Sequence, residues 1–198
     1  MSPNPDAATA DLAGYELLVG VTAGISAYKT CEVVSRLVQR GAGVTVAMTR
    51  SAKKFVGPLS FQALSGRRVL TSRWSDEDPS DVQHIAMTAA ANLFIVAPAT
   101  ANILGKVAAG IADDLLTTLI VSAASPILFA PAMNDRMWAN PIVQRNVRTL
   151  TEVGHTFVGP QSGWLACRSV GPGRMAEPAD ILDAAVSILR KSQPRQSN

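Results

Sequence analysis

Residues 15–48 read YELLVGVTAGISAYKTCEVVSRLVQRGAGVTVAM and predict a strand, a helix and a second strand in succession. The run at 15–21 is almost wholly apolar, which is typical of a short strand buried on both faces. Residues 24–40 then carry apolar side chains at helical spacing, and glycines end the helix before the second strand at 44–48. The apolar positions are Tyr28, Cys31, Val34, Leu37 and Val38. Two strands joined through a helix are typical of a parallel sheet.

The rest of the chain repeats this alternation of short apolar runs and amphipathic segments. Further strands are predicted at 93–97, 127–130 and 156–158, and helices at 58–65, 81–91, 100–109, 114–124, 141–153 and 178–190. Strands rich in Val, Ile, Leu and Ala between helices indicate a parallel sheet that is covered on both faces. We therefore expect an α/β fold, Rossmann-like (flavodoxin-like), with an open parallel sheet and helices on both faces.

The composition indicates one globular domain without a disulfide framework or a metal site. The chain has 198 residues, of which 47% are hydrophobic and 17% charged, and its two Cys and two His lack ligand spacing. Three of the 18 basic residues lie in the last nine positions, and the other 15 balance 15 acidic residues. The net charge of +3 therefore belongs to the end of the chain, and no nucleic-acid-binding face is predicted.

The ends of the chain and its most apolar stretch were compared with secretion signals and membrane helices, which would indicate where in the cell the protein lies. Residues 1–13 have neither a positive nor an apolar signal region, so we expect a disordered leader there, a folded domain at 14–190 and a disordered tail at 191–198. The stretch 115–133 is interrupted by Thr, Ser and Pro residues, unlike a membrane helix. We expect no membrane association and a cytoplasmic protein with reduced thiols.

Polar residues follow the predicted strands, where an open α/β sheet binds its ligand. Gly24 and Ser26 follow the first strand at a helix start, where free N–H groups could hold a phosphate or the Ser could simply cap the helix. Their spacing is not GxGxxG, which favours a mononucleotide over a dinucleotide. Thr49 follows the second strand and either bonds a ligand or caps the next helix. PATAN (98–102) follows the strand at 93–97, where Pro98 is expected to end the strand and Asn102 offers both a donor and an acceptor.

Two later segments complete the candidate site. PAMNDRMW (131–138) follows the strand at 127–130 and is a second Pro-led loop that bears an Asn, although its Met and Trp residues could be core. GWLACRSVGPGRM (163–175) combines glycines, two Arg and Cys167 in a flexible flap, which is either a surface loop with an idle thiol or the carrier of an acid or nucleophile. His84 opens the helix before the strand at 93–97 and is either a cap or a catalytic group. Cys31 and His155 are interpreted as structural.

These motifs resemble, in order, those of the flavin-dependent cysteine decarboxylases. PAMNDRMW matches the PxMNxxMW signature of that family, PATAN is similar to its PASAN-type loop, and the segment 163–175 is similar to its substrate-recognition clamp. The resemblance runs from about residue 15 to residue 190. It implies FMN-dependent oxidative decarboxylation of the cysteine moiety of 4'-phosphopantothenoylcysteine to 4'-phosphopantetheine in coenzyme A biosynthesis. It further implies a homo-oligomer, trimer or dodecamer, with FMN at the subunit interface.

The resemblance also implies roles for particular residues. Asn134 matches the Asn that binds the substrate carboxylate in this family. His84 matches the active-site His, and Cys167 matches the Cys that completes the reaction in the coenzyme A branch. Contacts with FMN are expected at Gly24, Ser26, Thr49, Pro98, Thr100 and Asn102, with Asp114 and Leu115 near the flavin-side loop. Further substrate contacts are expected at Met137, Ala166, Arg174 and Met175. Two positions depart from the family pattern, because Arg168 stands where Gly is common and Asn92 where Asp is frequent.

Three alternatives share the resemblance. A peptidyl-cysteine decarboxylase of lantibiotic maturation would release the ene-thiol, and the Cys167 clamp argues against it. A flavin prenyltransferase of similar fold would lack the PxMNxxMW signature. A non-catalytic flavoprotein regulator would lose catalytic residues or add a long acidic tail, whereas His84, Asn134 and Cys167 are all present.

Overall fold

The central sheet has five parallel strands in the order β2-β1-β3-β4-β5. The structure, a computed structural model, describes residues 10–72 and 87–191. The strands are β1 (Glu16–Val21), β2 (Gly43–Met48), β3 (Leu93–Ala99), β4 (Ile127–Pro131) and β5 (Thr156–Phe157). Every neighbouring pair is parallel. This order confirms the predicted flavodoxin-like sheet, and it places a topological switch point between β1 and β3.

Helices cover both faces of the sheet, as the sequence predicts. They are α1 (Ala27–Gln39), α2 (Pro58–Ser65), α3 (Ala101–Ala108), α4 (Leu115–Val121), α5 (Asp135–Ala139), α6 (Pro141–Glu152) and α7 (Pro178–Leu189). One hydrophobic core lies under α1, α2 and α7, and the other lies under α3, α4 and α6. Successive residues of one strand enter opposite cores, as Phe94 and Ile95 do in β3, which explains why the strands are apolar without alternation.

Three local expectations are wrong. Pro98 does not end its strand, because β3 continues to Ala99 with a register shift after Val96 that accommodates a residue without an N–H. The segment after β4 is not all loop, since Asp135–Ala139 is helical. Tyr28 is not on the buried face of α1, because 60% of its surface is exposed.

The segment predicted as a flexible flap contains an antiparallel hairpin of β6 (Gln161–Trp164) and β7 (Val170–Arg174). Its strands are rich in Gly and lack an apolar face, so sequence patterning does not reveal them. Buried Leu165 anchors the turn between them. The hairpin is separate from the central sheet, and its position therefore depends on contacts with the loops around it.

The folded domain begins earlier than residue 14. Leu12 is 2% exposed, its N–H donates to the carbonyl oxygen of Arg40, and Asp11 pairs with the Arg40 guanidinium. Apolar burial and an ion pair therefore hold residues that the sequence assigns to a leader. Residues 1–9, and the predicted tail beyond Lys191, lie outside the described residues.

Within the described ranges, none of the helices has the length and apolar character that crossing a membrane requires. The same part of the chain contains no cluster of His, Cys, Asp or Glu suited to a metal ion.

Candidate active site

The loops after β1 and β3 are tied together at the switch point. Thr22 is 2% exposed, and its hydroxyl donates to the carbonyl oxygen of Pro98 at 2.6 Å. The same hydroxyl oxygen accepts the N–H of Thr100 at 3.3 Å. One buried side chain therefore links both loops at the edge of the sheet where an open α/β fold binds its ligand.

The N-terminus of α1 fits an anionic group. Ser26 is the N-cap residue, but its side chain makes no capping hydrogen bond, so the cap interpretation does not account for its hydroxyl. The first N–H groups of a 13-residue helix lack intrahelical partners, and the helix dipole adds positive potential there. Gly24 has a φ of +155°, and a Cβ on it would lie 3.8 Å from Pro98 Cγ and 3.9 Å from Ser26 Oγ. A side chain at Gly24 would therefore fill the space between these two predicted ligand contacts.

Two other hydroxyls from the predicted cofactor set accept backbone N–H groups, that of Thr100 as the N-cap of α3 and that of Thr49 two residues before Ser51, the N-cap of a short 3₁₀ turn at Ala52–Lys54. Thr100 Oγ1 accepts the N–H of Ile103 at 3.4 Å, and Thr49 Oγ1 accepts the N–H of Ala52 at 3.1 Å. Each hydroxyl keeps its own proton for donation to a ligand. Asn102 lies on the first turn of α3 and is exposed.

A cavity of about 280 Å³ opens between the start of α1, the loop after β4 and the hairpin. Five of the predicted substrate-contacting or catalytic residues line it together with Ser26. These five are Asn134, Ala166, Cys167, Arg174 and Met175. Residues from four separate segments thus meet at one cavity. Met137, which was also predicted to contact the substrate, is not among the lining residues; it lies on α5 and 47% of its surface is exposed.

The orientation of the Asn134 amide follows from its position as the N-cap of α5. Its Oδ1 accepts the N–H of Arg136 at 2.9 Å, which leaves the NH₂ group facing the cavity. The Nδ2 then donates to Cys167 Sγ at 3.1 Å. Asn134 therefore presents a donor at the cavity wall next to the thiol.

The Cys167 sulfur is held by a second polar side chain on the same turn. Ser169 Oγ lies 3.1 Å from Cys167 Sγ. The hydrogen bond with Ser169, followed by that from Asn134, lowers the pKa of the Cys167 thiol from its ordinary value. Arg168 lies between them with a φ of +66°, a left-handed conformation that a Gly adopts at lower cost. The family preference for Gly at this position thus has a conformational reason.

The hairpin docks onto the loop after β4 through one close backbone contact. The N–H of Met133 donates to the carbonyl oxygen of Gly173 at 3.0 Å. Gly173 has a φ of +152°, and a Cβ on it would overlap the carbonyl oxygen of Met133. Gly173 is therefore required for the hairpin to bring Cys167 to Asn134.

A charged triad joins the hairpin to α1, and one of its members, Arg174, lines the cavity. Glu177 accepts hydrogen bonds from Arg174 of β7 and, at 2.8 Å, from Lys29 of α1. Lys29 first and Arg174 second lower the pKa of the Glu177 carboxyl. Sequence reasoning missed Glu177 and Lys29. The i,i+3 spacing of Arg174 and Glu177 could have indicated their ion pair, but no local pattern indicates the pair with Lys29.

The remaining flavin-side candidates lie in a second cavity. Thr49, Asp114 and Leu115 line a volume of about 270 Å³ beyond the end of β2, separate from the cavity that holds Cys167. Burial raises the pKa of Asp114, but hydrogen bonds from Thr117 and Lys106 outweigh it and hold the value below normal. Asp114 is thus an ionised cap of α4. His84 lies outside the described residues.

The residues interpreted as structural have matching environments. Cys31 is half-buried, and burial raises the pKa of its thiol. His155 packs edge to face on Phe129 with ring centroids 5.7 Å apart, and burial lowers its pKa. Asn92 accepts the N–H of Glu16 through Oδ1 at 2.8 Å, a bond that Asp could make equally well.

Comparison with known proteins places the chain in a family of flavoproteins. Residues 6–190 match the family described as Flavoprotein. The chain is 49% identical over 169 residues to the coenzyme A biosynthesis bifunctional protein CoaBC of Bacillus subtilis, covering 85% of this chain and 42% of the relative. The chain therefore spans about two fifths of the length of such curated relatives.

Two solved structures match over nearly their whole length. A PPC decarboxylase mutant complexed with pantothenoylaminoethenethiol superposes with a TM-score of 0.76 at 30% identity, covering 90% of this chain and 99% of that protein. The FMN-dependent cysteine decarboxylase SpaF superposes with a TM-score of 0.73 at 34% identity, covering 88% and 99%.

Proposed function

Since the chain belongs to the Flavoprotein family, we propose that it is an FMN-dependent decarboxylase of phosphopantothenoylcysteine in coenzyme A biosynthesis. The observation that carries the proposal is the 3.1 Å contact between Asn134 Nδ2 and Cys167 Sγ at one cavity beside the switch point. The bifunctional CoaBC relative and the PPC decarboxylase structure support the same activity. The second activity of the bifunctional relatives is not assigned to this chain.

The switch-point residues fit FMN as the cofactor. The Ser26 hydroxyl and the N–H groups at the start of α1 would hold its phosphate, and the small residues around Gly24 and Pro98 leave room beside the backbone. When bound, FMN supplies the two-electron oxidation of the CH₂–SH arm of the substrate and the later return of those electrons. The purified protein should accordingly be yellow, and a colourless protein that gains no flavin absorbance with added FMN would refute this part.

Asn134 would orient the substrate for loss of CO₂. Its NH₂ group points to the cavity because its carbonyl oxygen caps α5, and a carboxylate can only accept hydrogen bonds. A cysteine carboxylate has no electron sink of its own, so the neighbouring carbon must first be oxidised to a thioaldehyde. Held by Asn134, the carboxylate can then leave as CO₂ while the C=S group takes the electron pair.

Cys167 would supply the proton that completes the reaction. Loss of CO₂ leaves an ene-thiolate, whose reduction to a saturated thiol requires a hydride and a proton. The lowered pKa of Cys167 and its place in the cavity wall suit a proton donor. His84 is proposed to assist the initial oxidation, and this role stays a prediction.

Product analysis tests the proposal directly. The holoenzyme is incubated without oxygen with phosphopantothenoylcysteine and, separately, with a peptide that ends in cysteine, and the products are identified by mass spectrometry. We expect the saturated thiol from the first substrate and little turnover of the second. Release of only the ene-thiol, two hydrogens lighter, would favour a peptidyl-cysteine decarboxylase instead.

We further propose a cytoplasmic homotrimer, either alone or assembled into a dodecamer. Large apolar side chains are exposed around the site, among them Ile25, Tyr28, Trp164 and Val170 at 60–72% of their surface, which supports association. Two free thiols support a reducing compartment. Light scattering of the flavin-loaded protein tests the first point, and a monomer at micromolar concentration would refute it.

A further inference from the structure

We infer that Ser169 is a positioning residue for the reduction step, holding the Cys167 thiol against Asn134 at the cavity. The inference rests on the proposed function and adds a residue to it. Ser169 was not a candidate on sequence grounds. Its hydroxyl lies 3.1 Å from Cys167 Sγ, the same separation as that between the sulfur and Asn134 Nδ2.

The turn between β6 and β7 is built to bring these two side chains together. The N–H of Leu165 donates to the carbonyl oxygen of Ser169 at 2.9 Å, and the N–H of Arg168 donates to that of Leu165 at 2.9 Å. Leu165 is 6% exposed and fixes the base of the turn. Arg168 in the left-handed region reverses the chain so that Cys167 and Ser169 approach each other.

An exposed cysteine needs such a partner. Cys167 is exposed, so packing does not restrict its side-chain rotamer. Hydrogen bonds from both sides instead fix the sulfur at the cavity wall. Donation by Ser169 also stabilises the thiolate, which agrees with the lowered pKa of Cys167. The hydroxyl therefore controls both where the proton is delivered and how readily it leaves.

Charged groups near the turn do not replace this contact. Arg168 is on the turn itself, Arg174 of β7 lines the same cavity, and Asp135 of α5 lies beside Gly171. Among the described residues, Asn134 and Ser169 supply the side-chain hydrogen bonds to the sulfur, and backbone hydrogen bonds at Ser169 and Cys167 lower the pKa of the thiol by smaller amounts.

The test is alkylation of Cys167 by iodoacetamide across pH in the holoenzyme, followed by mass spectrometry. Cys31, half-buried, serves as the internal reference thiol. We expect Ser169→Ala to slow alkylation of Cys167 roughly threefold to tenfold at neutral pH. The rates of the variant and the wild type should converge above about pH 9, where Cys167 is largely ionised in both proteins. Ser169→Thr should restore the wild-type profile, and Ser162→Ala, an exposed serine of β6, is the matched control.

A second readout is the share of ene-thiol among the products, which should rise in Ser169→Ala while CO₂ release continues. An unchanged pH profile would overturn the inference, because it would show that Ser169 does not affect ionisation of Cys167. A rate lowered equally at every pH would also overturn it, because that would show only a change in the access of iodoacetamide to the thiol. A wild-type enzyme that itself makes no saturated thiol would instead refute the proposed function.

Discussion

Substituting Gly173 by Ala should detach the hairpin from the loop after β4. A Cβ there would overlap the Met133 carbonyl oxygen, and the φ of +152° disfavours any L side chain. The backbone must move, which breaks the 3.0 Å hydrogen bond from Met133 N–H to Gly173. The lost hydrogen bond and the backbone strain together should lower the free energy that holds the hairpin against this loop by about 2–4 kcal/mol.

Hydrogen exchange of the Met133 amide measures this cost in free energy, because that amide donates the bond to the Gly173 carbonyl oxygen. At one tenfold change per 1.4 kcal/mol, Gly173→Ala should speed its exchange roughly 30- to 700-fold. The Val158 amide follows β5 and donates to the carbonyl oxygen of Phe129 in β4 at 2.9 Å, so it should be unaffected because its acceptor lies in the central sheet. Gly57→Ala is the control, since φ is −71° there and a Cβ meets nothing within 4 Å. Wild-type protection of Met133 in Gly173→Ala would refute the docking argument.

The remaining predictions concern the site. Asn134→Asp should keep the cap on Arg136 but lower CO₂ release roughly hundredfold or more, because it repels the substrate carboxylate and removes a donor; activity within a few fold of wild type would contradict this. Cys167→Ser should still bleach the flavin without oxygen while a product two hydrogens lighter accumulates, since a serine hydroxyl is a far weaker acid than a thiol of pKa about 8.5; near-wild-type yield of saturated thiol would exclude Cys167 as the donor. Lys29 and Arg174 lower the pKa of Glu177, so its ionised form stabilises the fold above the unfolded pKa of about 4.3, and that stability is lost as pH falls through the folded value. Urea titrations between pH 6 and 3 should therefore show a steeper acid loss of stability in the wild type than in Glu177→Gln, and parallel curves would count against the triad.

Local patterning was sufficient for the sheet and most helices. The strands at 15–21 and 127–130 are short apolar runs, and Pro58 with Gly66 bounds α2 at the residues predicted. Such patterns depend on residues within one turn or one strand, so they can be recognised without knowledge of the fold. The candidate cavity residues were found through motif resemblance, because no local rule pairs an Asn after one strand with a Cys on a distant turn.

What only the tertiary structure decided is how distant segments meet. Asn134 and Cys167 are 33 residues apart, and their contact exists because Gly173 lets the hairpin approach the Met133 carbonyl. Glu177 joins a helix 148 residues away in the chain through Lys29. The sequence by itself determined the strands, the helices and the residue types available at their ends, because periodicity and backbone preference are local. Which hydroxyls cap helices, which amide faces the cavity and which thiol is held there depend on packing between segments, and that information lies in the folded chain alone.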